Sequence, residues 1–134
     1  MSTLGDLWDM ERRVMEFYDS LMAEFNAGGG QDITLRGLAY QTVMSYRTIQ
    51  VELVNSMARN RHGSVAALAT FPDDHELTDH EASVLRLMKG MFQLHRNELA
   101  DAVGISEKKS PKQAARFQNI LDTVEIDPRG GRRA

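Results

Sequence analysis

The sequence predicts an all-α fold, a small bundle of four main helices with a short connecting helix. Three observations lead to this prediction. Apolar residues recur at intervals of three and four along most of the chain, which places them on one face of a helix. No stretch longer than a few residues alternates with the period of two that is typical of strands. Turn-forming residues separate the periodic stretches, so the helices are expected at about residues 5–26, 34–60, 65–71, 79–103 and 111–125.

The first predicted helix has an unusually wide apolar face. One stripe, in which Glu11 occupies a slot, consists of Leu4, Leu7, Val14, Tyr18, Leu21 and Phe25. Trp8, Met15 and Met22 recur every seven residues beside that stripe. Methionine adapts to irregular partners, and a face of this width needs more cover than two neighbouring helices provide. We therefore predict self-association, or docking of a protein partner, through the face of Trp8, Met15 and Met22.

The second predicted helix has a less apolar interior. Thr42 and Ser45 interrupt its stripe at positions that face the core. A turn is predicted over residues 60–64, and Pro72 closes the short connecting helix that follows, because proline cannot donate the backbone hydrogen bond that a helix requires.

The third predicted helix has a clear start signal and an ambiguous interior. Thr78 and Glu81 fit a capping box, in which each side chain accepts a hydrogen bond from the other residue's backbone N–H. Gly90 costs about 1 kcal/mol relative to alanine inside a helix. One continuous helix and two helices that break near Gly90 are both compatible with the pattern. Gly104 is expected to end the helix in a left-handed conformation.

The last predicted helix begins at a proline. Ser110 suits the capping position and Pro111 the first helical position. From these spans we predict a single helical domain over residues 1–126, followed by a flexible basic tail over residues 127–134.

Composition indicates an ordinary soluble globular protein. Apolar residues make up 42% of the chain and charged residues 26%. No apolar run approaches the length of a membrane span, and the N-terminus lacks the pattern of a signal peptide. Without cysteine, the chain forms no disulfide and no thiolate metal site. A cytoplasmic protein without membrane contact is the expectation.

Charge is segregated into four alternating blocks. Residues 1–32 carry seven acids against two arginines, and residues 33–72 carry four arginines against one glutamate. Residues 73–82 carry five acids and no base, whereas residues 83–134 carry ten bases and six acids. Such blocks can neutralise one another within the fold or between subunits, or the basic ones can face an anionic partner.

The basic side chains are therefore candidate nucleic-acid-binding residues. From the second helix and the segment after it these are Arg36, Arg47, Arg59 and Arg61, from the third Arg86, Lys89 and Arg96, and near the start of the last Lys108, Lys109, Lys112 and Arg116. Each phosphate that a basic side chain neutralises releases counterions, so a few of them suffice for salt-sensitive binding.

Part of the chain resembles a family of DNA-binding domains. Residues 77–121 contain LTDHEASVLRLM and then NELADAVGIS, which resembles the opening of LuxR-type and sigma-region-4-like helix-turn-helix domains. The positions that match their positioning helix and turn are Glu98, Leu99, Ala100, Val103, Gly104 and Ile105. The resemblance implies a helix-turn-helix in the C-terminal half. Two extra residues separate the halves of the motif, and Pro111 falls where the recognition helix needs a backbone donor. A plain bundle helix is the alternative.

Nothing in the sequence calls for catalysis. The glycine triplet after the first helix lacks the Lys-Ser/Thr of a phosphate-binding loop. His75, His80, Glu76 and Glu81 combine metal-ligating residue types, but within one helix the two imidazoles would point about 140° apart. His95, on an apolar face, is expected to be a hydrogen-bonded residue in a helix seam. We predict no catalytic residue, no cofactor and no metal.

Together these observations favour a non-enzymatic intracellular protein that contacts nucleic acid through its basic helix faces. It would act as a small regulator or as a subunit of a nucleoprotein assembly. The alternative is a protein–protein adaptor or antagonist, an oligomeric helical docking module without nucleic-acid contact.

Overall fold

A computed structural model describes residues 1–27, 33–106 and 111–123, of which residues 33, 34, 105 and 106 are described by their backbone alone. The described part is helical except for short connectors. Its elements are α1 (Leu4–Ala27), α2 (Ile33–Met57), a π-helical turn (Ala58–His62), α3 (Val65–Leu68), α4 (Asp79–Ser106) and α5 (Pro111–Asp122). The predicted all-α bundle of four main helices and a short connecting helix is confirmed. Among the described helices, none is both long and apolar enough to cross a membrane.

The main helices pack in the cyclic order α1, α2, α4, α5, each against its two neighbours. Side-chain contacts show that α1 and α2 are antiparallel. Gln50 donates to Glu11 over 3.1 Å, whereas Arg36 lies over the ring of Phe25, 5.1 Å from its centroid, at the other end of the pair. α5 closes the bundle, because its Phe117 ring lies 4.9 Å from that of Phe25.

One apolar cluster fills the space between the helices. From α1 it takes Leu4, Leu7, Met10, Val14, Phe17, Leu21 and Phe25. The predicted stripe of α1 was therefore wrong at two places, since Met10 and Phe17 are buried and Tyr18 is only half-buried. Phe17 instead reaches across the bundle to Phe92 of α4, in an edge-to-face contact of 5.5 Å.

Thr42 and Ser45, which interrupt the apolar stripe of α2, bond to the backbone of their own helix. Thr42 is fully buried, and its hydroxyl donates to the carbonyl of Leu38 over 2.7 Å. Ser45 donates to the carbonyl of Gln41 over 2.7 Å and lies 3.0 Å from Nδ1 of His95. The prediction that His95 is a hydrogen-bonded seam residue is confirmed, and the seam is that between α2 and α4.

α4 is one continuous helix through Gly90. Its predicted capping box is confirmed, because the Thr78 N–H donates to Glu81 over 2.8 Å and the Glu81 N–H donates to Thr78 over 3.1 Å. The predicted helix stop at Gly104 is wrong: the helix runs on to Ser106, and among the described glycines only Gly63 has a positive φ.

The N-terminus is tied to the connector before α4 by backbone hydrogen bonds. We call this pairing of residues 2–5 with residues 73–77 the N-terminal clamp. Its bonds run from Leu4 N–H to the His75 carbonyl (2.8 Å), from Gly5 N–H to the Asp73 carbonyl (2.8 Å) and from Leu77 N–H to the Ser2 carbonyl (3.1 Å). The clamp fixes the start of α1 beside the start of α4.

A second capping box starts α1 and was not predicted. The Thr3 N–H donates to the Asp6 carboxylate over 2.9 Å, and the Asp6 N–H donates to the Thr3 hydroxyl over 3.3 Å. The signal is present in the sequence as Thr-x-x-Asp, with aspartate in the place usual for glutamate.

Gly5 is required by the close approach of the clamp. A Cβ at this position would lie 2.9 Å from the Asp73 Cβ and 3.0 Å from its carbonyl oxygen. We expect Gly5→Ala to lower the free energy of unfolding by about 1–3 kcal/mol, as overpacking commonly does. Urea denaturation followed by circular dichroism measures this change.

The matched control is Gly37→Ala in α2. A Cβ there meets nothing within 4 Å, so the higher helix propensity of alanine should stabilise the protein by about 0.5–1 kcal/mol. Equal effects of the two substitutions would contradict the assigned clamp.

Candidate functional site

Arg61, predicted to bind nucleic acid, forms an internal ion pair. Its Nη2 lies 2.8 Å from Oε1 of Glu81, and its Nε lies 3.3 Å from Oε2, so the contact is bidentate. Arg61 also donates to the carbonyl of Glu76 over 3.4 Å. The Glu81 side chain is 8% exposed and that of Arg61 33%. This pair joins the π-helical turn to the first turn of α4.

Arg96 caps the end of α5. It is buried, and its Nη2 and Nε donate to the carbonyl of Leu121 over 3.0 and 3.2 Å. The Asp122 carboxylate lies 3.7 Å from Nη2. A cation at a helix C-terminus satisfies carbonyls that have no partner within the helix and complements the helix dipole.

Two further predicted residues are also engaged within the bundle. Lys89 of α4 is buried and has an interaction partner. The Arg116 guanidinium of α5 pairs with the Glu24 carboxylate of α1. The positive charge of Arg116 thus helps to hold α5 against α1.

Five predicted side chains form no ion pair with the residues that the structure describes. Arg47 contacts the sulfur of Met15 at 3.3 Å, and the full set is Arg36, Arg47, Arg59, Arg86 and Lys112. Arg36 lies at the start of α2 and Arg59 just beyond its end, so these groups are spread along the bundle. The remaining two, Lys108 and Lys109, lie outside the described residues.

The role of Arg61 can be tested by stability. We expect Arg61→Gln to lower the free energy of unfolding by about 1–2 kcal/mol, because it leaves the buried Glu81 carboxylate without its charged partner. This loss is smaller than for a fully buried ion pair, because solvent screens the partly exposed Arg61. Thermal or urea denaturation provides the measurement.

Arg12→Gln is the matched control for this substitution. Among the residues that the structure describes, Arg12 pairs with the exposed Asp9 and Glu16 of its own helix, so its loss should change stability by less than about 0.5 kcal/mol. If Arg61→Gln left stability unchanged, Arg61 would be available for an external anion.

Exposed and half-buried apolar side chains line one side of the antiparallel pair α1 and α2. We call it the α1/α2 face and define it by Trp8, Met15 and Met22 of α1 and by Tyr40, Met44 and Val51 of α2. The α1 residues are half-buried, whereas those of α2 are exposed, Tyr40 to 55%. Arg47 lies between Met44 and Val51 in α2 and touches Met15, which places the two rows side by side.

The sequence analysis predicts the α1 half of this face but not the α2 half. The α1 row stands out by its seven-residue spacing and its tryptophan. The α2 row has a similar signal, since Tyr40, Met44 and Val51 are spaced by four and seven residues. The buried stripe of α2 has the same helical spacing of apolar residues. The spacing alone therefore does not show which of the two rows is buried and which is exposed.

The two helices that form the α1/α2 face differ in charge. α1 carries six acids and two arginines, whereas α2 carries two arginines and one glutamate. Within the described residues, Asp19 of α1 forms no ion pair, and neither do Arg36 and Arg47 of α2. α1 as a whole is therefore acidic, and α2 carries one more base than acid.

A second group of exposed apolar side chains lies on α4. Leu87 and Leu94 are exposed, Leu94 to 57%, and Met91 between them is half-buried. This patch involves one helix and no aromatic residue. Among the described residues, no group of three or more His, Asp or Glu side chains is arranged to hold a metal ion.

The residues that resemble a helix-turn-helix lie in one helix and its neighbour. Residues 98–104 form part of the last turns of α4, continuous with residues 79–97, and α5 runs back along α4, as the contact of Arg96 with Leu121 shows. No family model matches the chain, and no curated protein or solved structure is significantly similar to it. The resemblance therefore stays a prediction.

Proposed function

We propose that this protein is a non-catalytic, self-associating docking module, and that a second copy of the chain covers the α1/α2 face. The observation that carries the proposal is the exposure of Tyr40, Met44 and Val51 on α2. The contact of Arg47 with Met15 brings the half-buried α1 row of Trp8, Met15 and Met22 to the same side of the helix pair. Aromatic residues and methionine are enriched in the cores of protein interfaces. Tryptophan and tyrosine also supply a large share of the binding energy in many interfaces.

The charges around the face favour a second copy over an unrelated partner. In a two-fold symmetric dimer the same surface is used by both subunits. If α1 of one subunit lies against α2 of the other, the acidic helix meets the basic one in both halves of the interface. Pairing α1 with α1 would instead bring like charges together. The face therefore carries both halves of an electrostatically complementary contact.

The proposal predicts a dimer that a single charge in the face disrupts. We expect sedimentation equilibrium to show a concentration-dependent dimer, and Tyr40→Lys to weaken dimerisation at least tenfold because a lysine must be desolvated at the interface. Leu94→Lys is the matched control, since Leu94 is exposed to the same extent but lies on α4. It should leave the dissociation constant unchanged.

Charge reversal provides an independent readout. Asp19→Arg and Arg47→Glu should each weaken the dimer, and their combination should restore part of the affinity because the signs are complementary again. A chain that remains monomeric at all concentrations would overturn the proposal. So would equal effects of Tyr40→Lys and Leu94→Lys.

Nucleic-acid contact is the other function that the sequence predicts. The five basic side chains without an ion pair to described residues are those that would carry it. This function has less support than self-association, because Arg61, Arg96 and Arg116 already bond to other parts of the chain and Lys89 is buried.

A salt titration separates the two functions. A protein that binds the phosphate backbone loses affinity steeply between about 50 and 200 mM salt. For the docking module we expect no salt-dependent binding of labelled duplex DNA or single-stranded RNA at either concentration, by fluorescence anisotropy. Tight binding that weakens with salt and is reduced by Arg36→Gln or Arg59→Gln would favour the nucleic-acid function instead.

A further inference from the structure

Three aromatic rings pack together where the π-helical turn meets the connector before α4. The ring centroids of His62 and Phe71 are 4.4 Å apart, those of Phe71 and His75 4.7 Å, and those of His62 and His75 5.1 Å. We call His62, Phe71 and His75 the ring cluster. His62 ends the π-helical turn, and Gly63 follows with a φ of 83°, a left-handed conformation that glycine adopts most easily.

The ring cluster is a poor place for a positive charge. Both ring nitrogens of His62 and Nε2 of His75 are buried and have no hydrogen-bond partner among the described residues. An imidazolium there would have two N–H donors, and an unpaired buried donor is costly. The neutral imidazole is therefore the form that the packing favours.

The neighbouring charges do not offset this cost. The charged or titratable groups that face His62 are Arg61 on its own segment, His75 on the connector and Glu81 on α4, whereas α3 has no titratable side chain. The Glu81 carboxylate already accepts hydrogen bonds from Arg61 and from the Thr78 N–H. Burial, then Arg61 and His75, lower the pKa of His62, and Glu81 acts in the opposite direction.

The cluster is coupled to the N-terminal clamp through the backbone of His75. The His75 carbonyl accepts a hydrogen bond from the Leu4 N–H, and the backbone N–H of His75 donates to the Pro72 carbonyl over 3.0 Å. The neighbouring Asp73 and Leu77 form the other two bonds of the clamp. A movement of the His75 ring away from His62 therefore pulls on the segment that holds the start of α1.

We propose that the ring cluster is a proton-sensitive latch, in which protonation of His62 separates it from His75 and releases the N-terminal clamp while the four-helix bundle stays folded. In the open form His62 is solvated and takes up a proton near its ordinary pKa of about 6.5. In the closed form it does so only at lower pH. The latch is hence fully closed above about pH 6.5 and weakens as the pH falls toward the lowered pKa of the closed form.

Native-state hydrogen exchange tests the latch in the full chain. We expect the protection factors of the Leu4, Gly5 and Leu77 amides, corrected for the intrinsic exchange rate, to fall severalfold between about pH 7.5 and 5.5. One coupled proton permits at most a tenfold fall per pH unit. Amides in the core of α2 and α4, such as those of Tyr46 and Phe92, should keep their protection.

Histidine variants assign the effect to the cluster. His62→Phe keeps an aromatic ring but cannot take up a proton, so the pH dependence of the clamp amides should disappear. His80→Phe, at an exposed position in the first turn of α4, is the matched control and should retain it. If His62→Phe does not fold, His62→Leu, which also cannot take up a proton, should likewise abolish the pH dependence of the clamp amides.

Two results would overturn the latch. One is a pH dependence of the clamp amides that persists in His62→Phe. The other is an equal loss of protection in the clamp and in the core of the wild type, which would mean global unfolding. Neither result bears on dimerisation through the α1/α2 face, so the two proposals fail independently.

Discussion

The bidentate contact of Arg61 with Glu81 is the interaction on which much of this structure depends. Glu81 caps the first turn of α4 through the Thr78 N–H and at the same time holds the guanidinium group that arrives from the π-helical turn. It thereby fixes where the chain leaves α2 relative to where α4 begins. The ring cluster and the connector half of the N-terminal clamp belong to the segment between the end of α2 and the start of α4. A carboxylate that serves as cap and counterion constrains the whole end of the bundle.

Part of the positive charge likewise joins one helix to another. Helix ends leave backbone groups without partners inside the helix, and long cationic side chains can reach them. Arg96 does so at the end of α5, and Arg116 crosses to an acid on α1. Charge blocks that look like a polyanion surface in the sequence are in part the means by which separate helices neutralise one another.

Several features follow from local sequence alone. The helical class, the main helices, the capping box at Thr78 and the hydrogen-bonded position of His95 all come from the spacing of residues within one segment. The half of the α1/α2 face formed by Trp8, Met15 and Met22 is also visible, because a seven-residue repeat is a property of one helix. The predicted helix stop at Gly104 was wrong because it also rested on local sequence. A glycine near the end of a helix is compatible both with the end of the helix and with its continuation, and α4 continues to Ser106.

Other features required contacts between segments far apart in the chain. No local pattern distinguishes Arg61, which meets Glu81 twenty positions later, from Arg59, which has no such partner among the described residues. Nor does any spacing bring His62 beside His75 or Arg47 beside Met15. Residue periodicity specifies which face of a helix is apolar, whereas the relative placement of the helices specifies which charges are paired and which apolar side chains stay exposed. The reason is that a helix repeats every 3.6 residues, while ion pairs and interfaces are set by distances across the closed bundle.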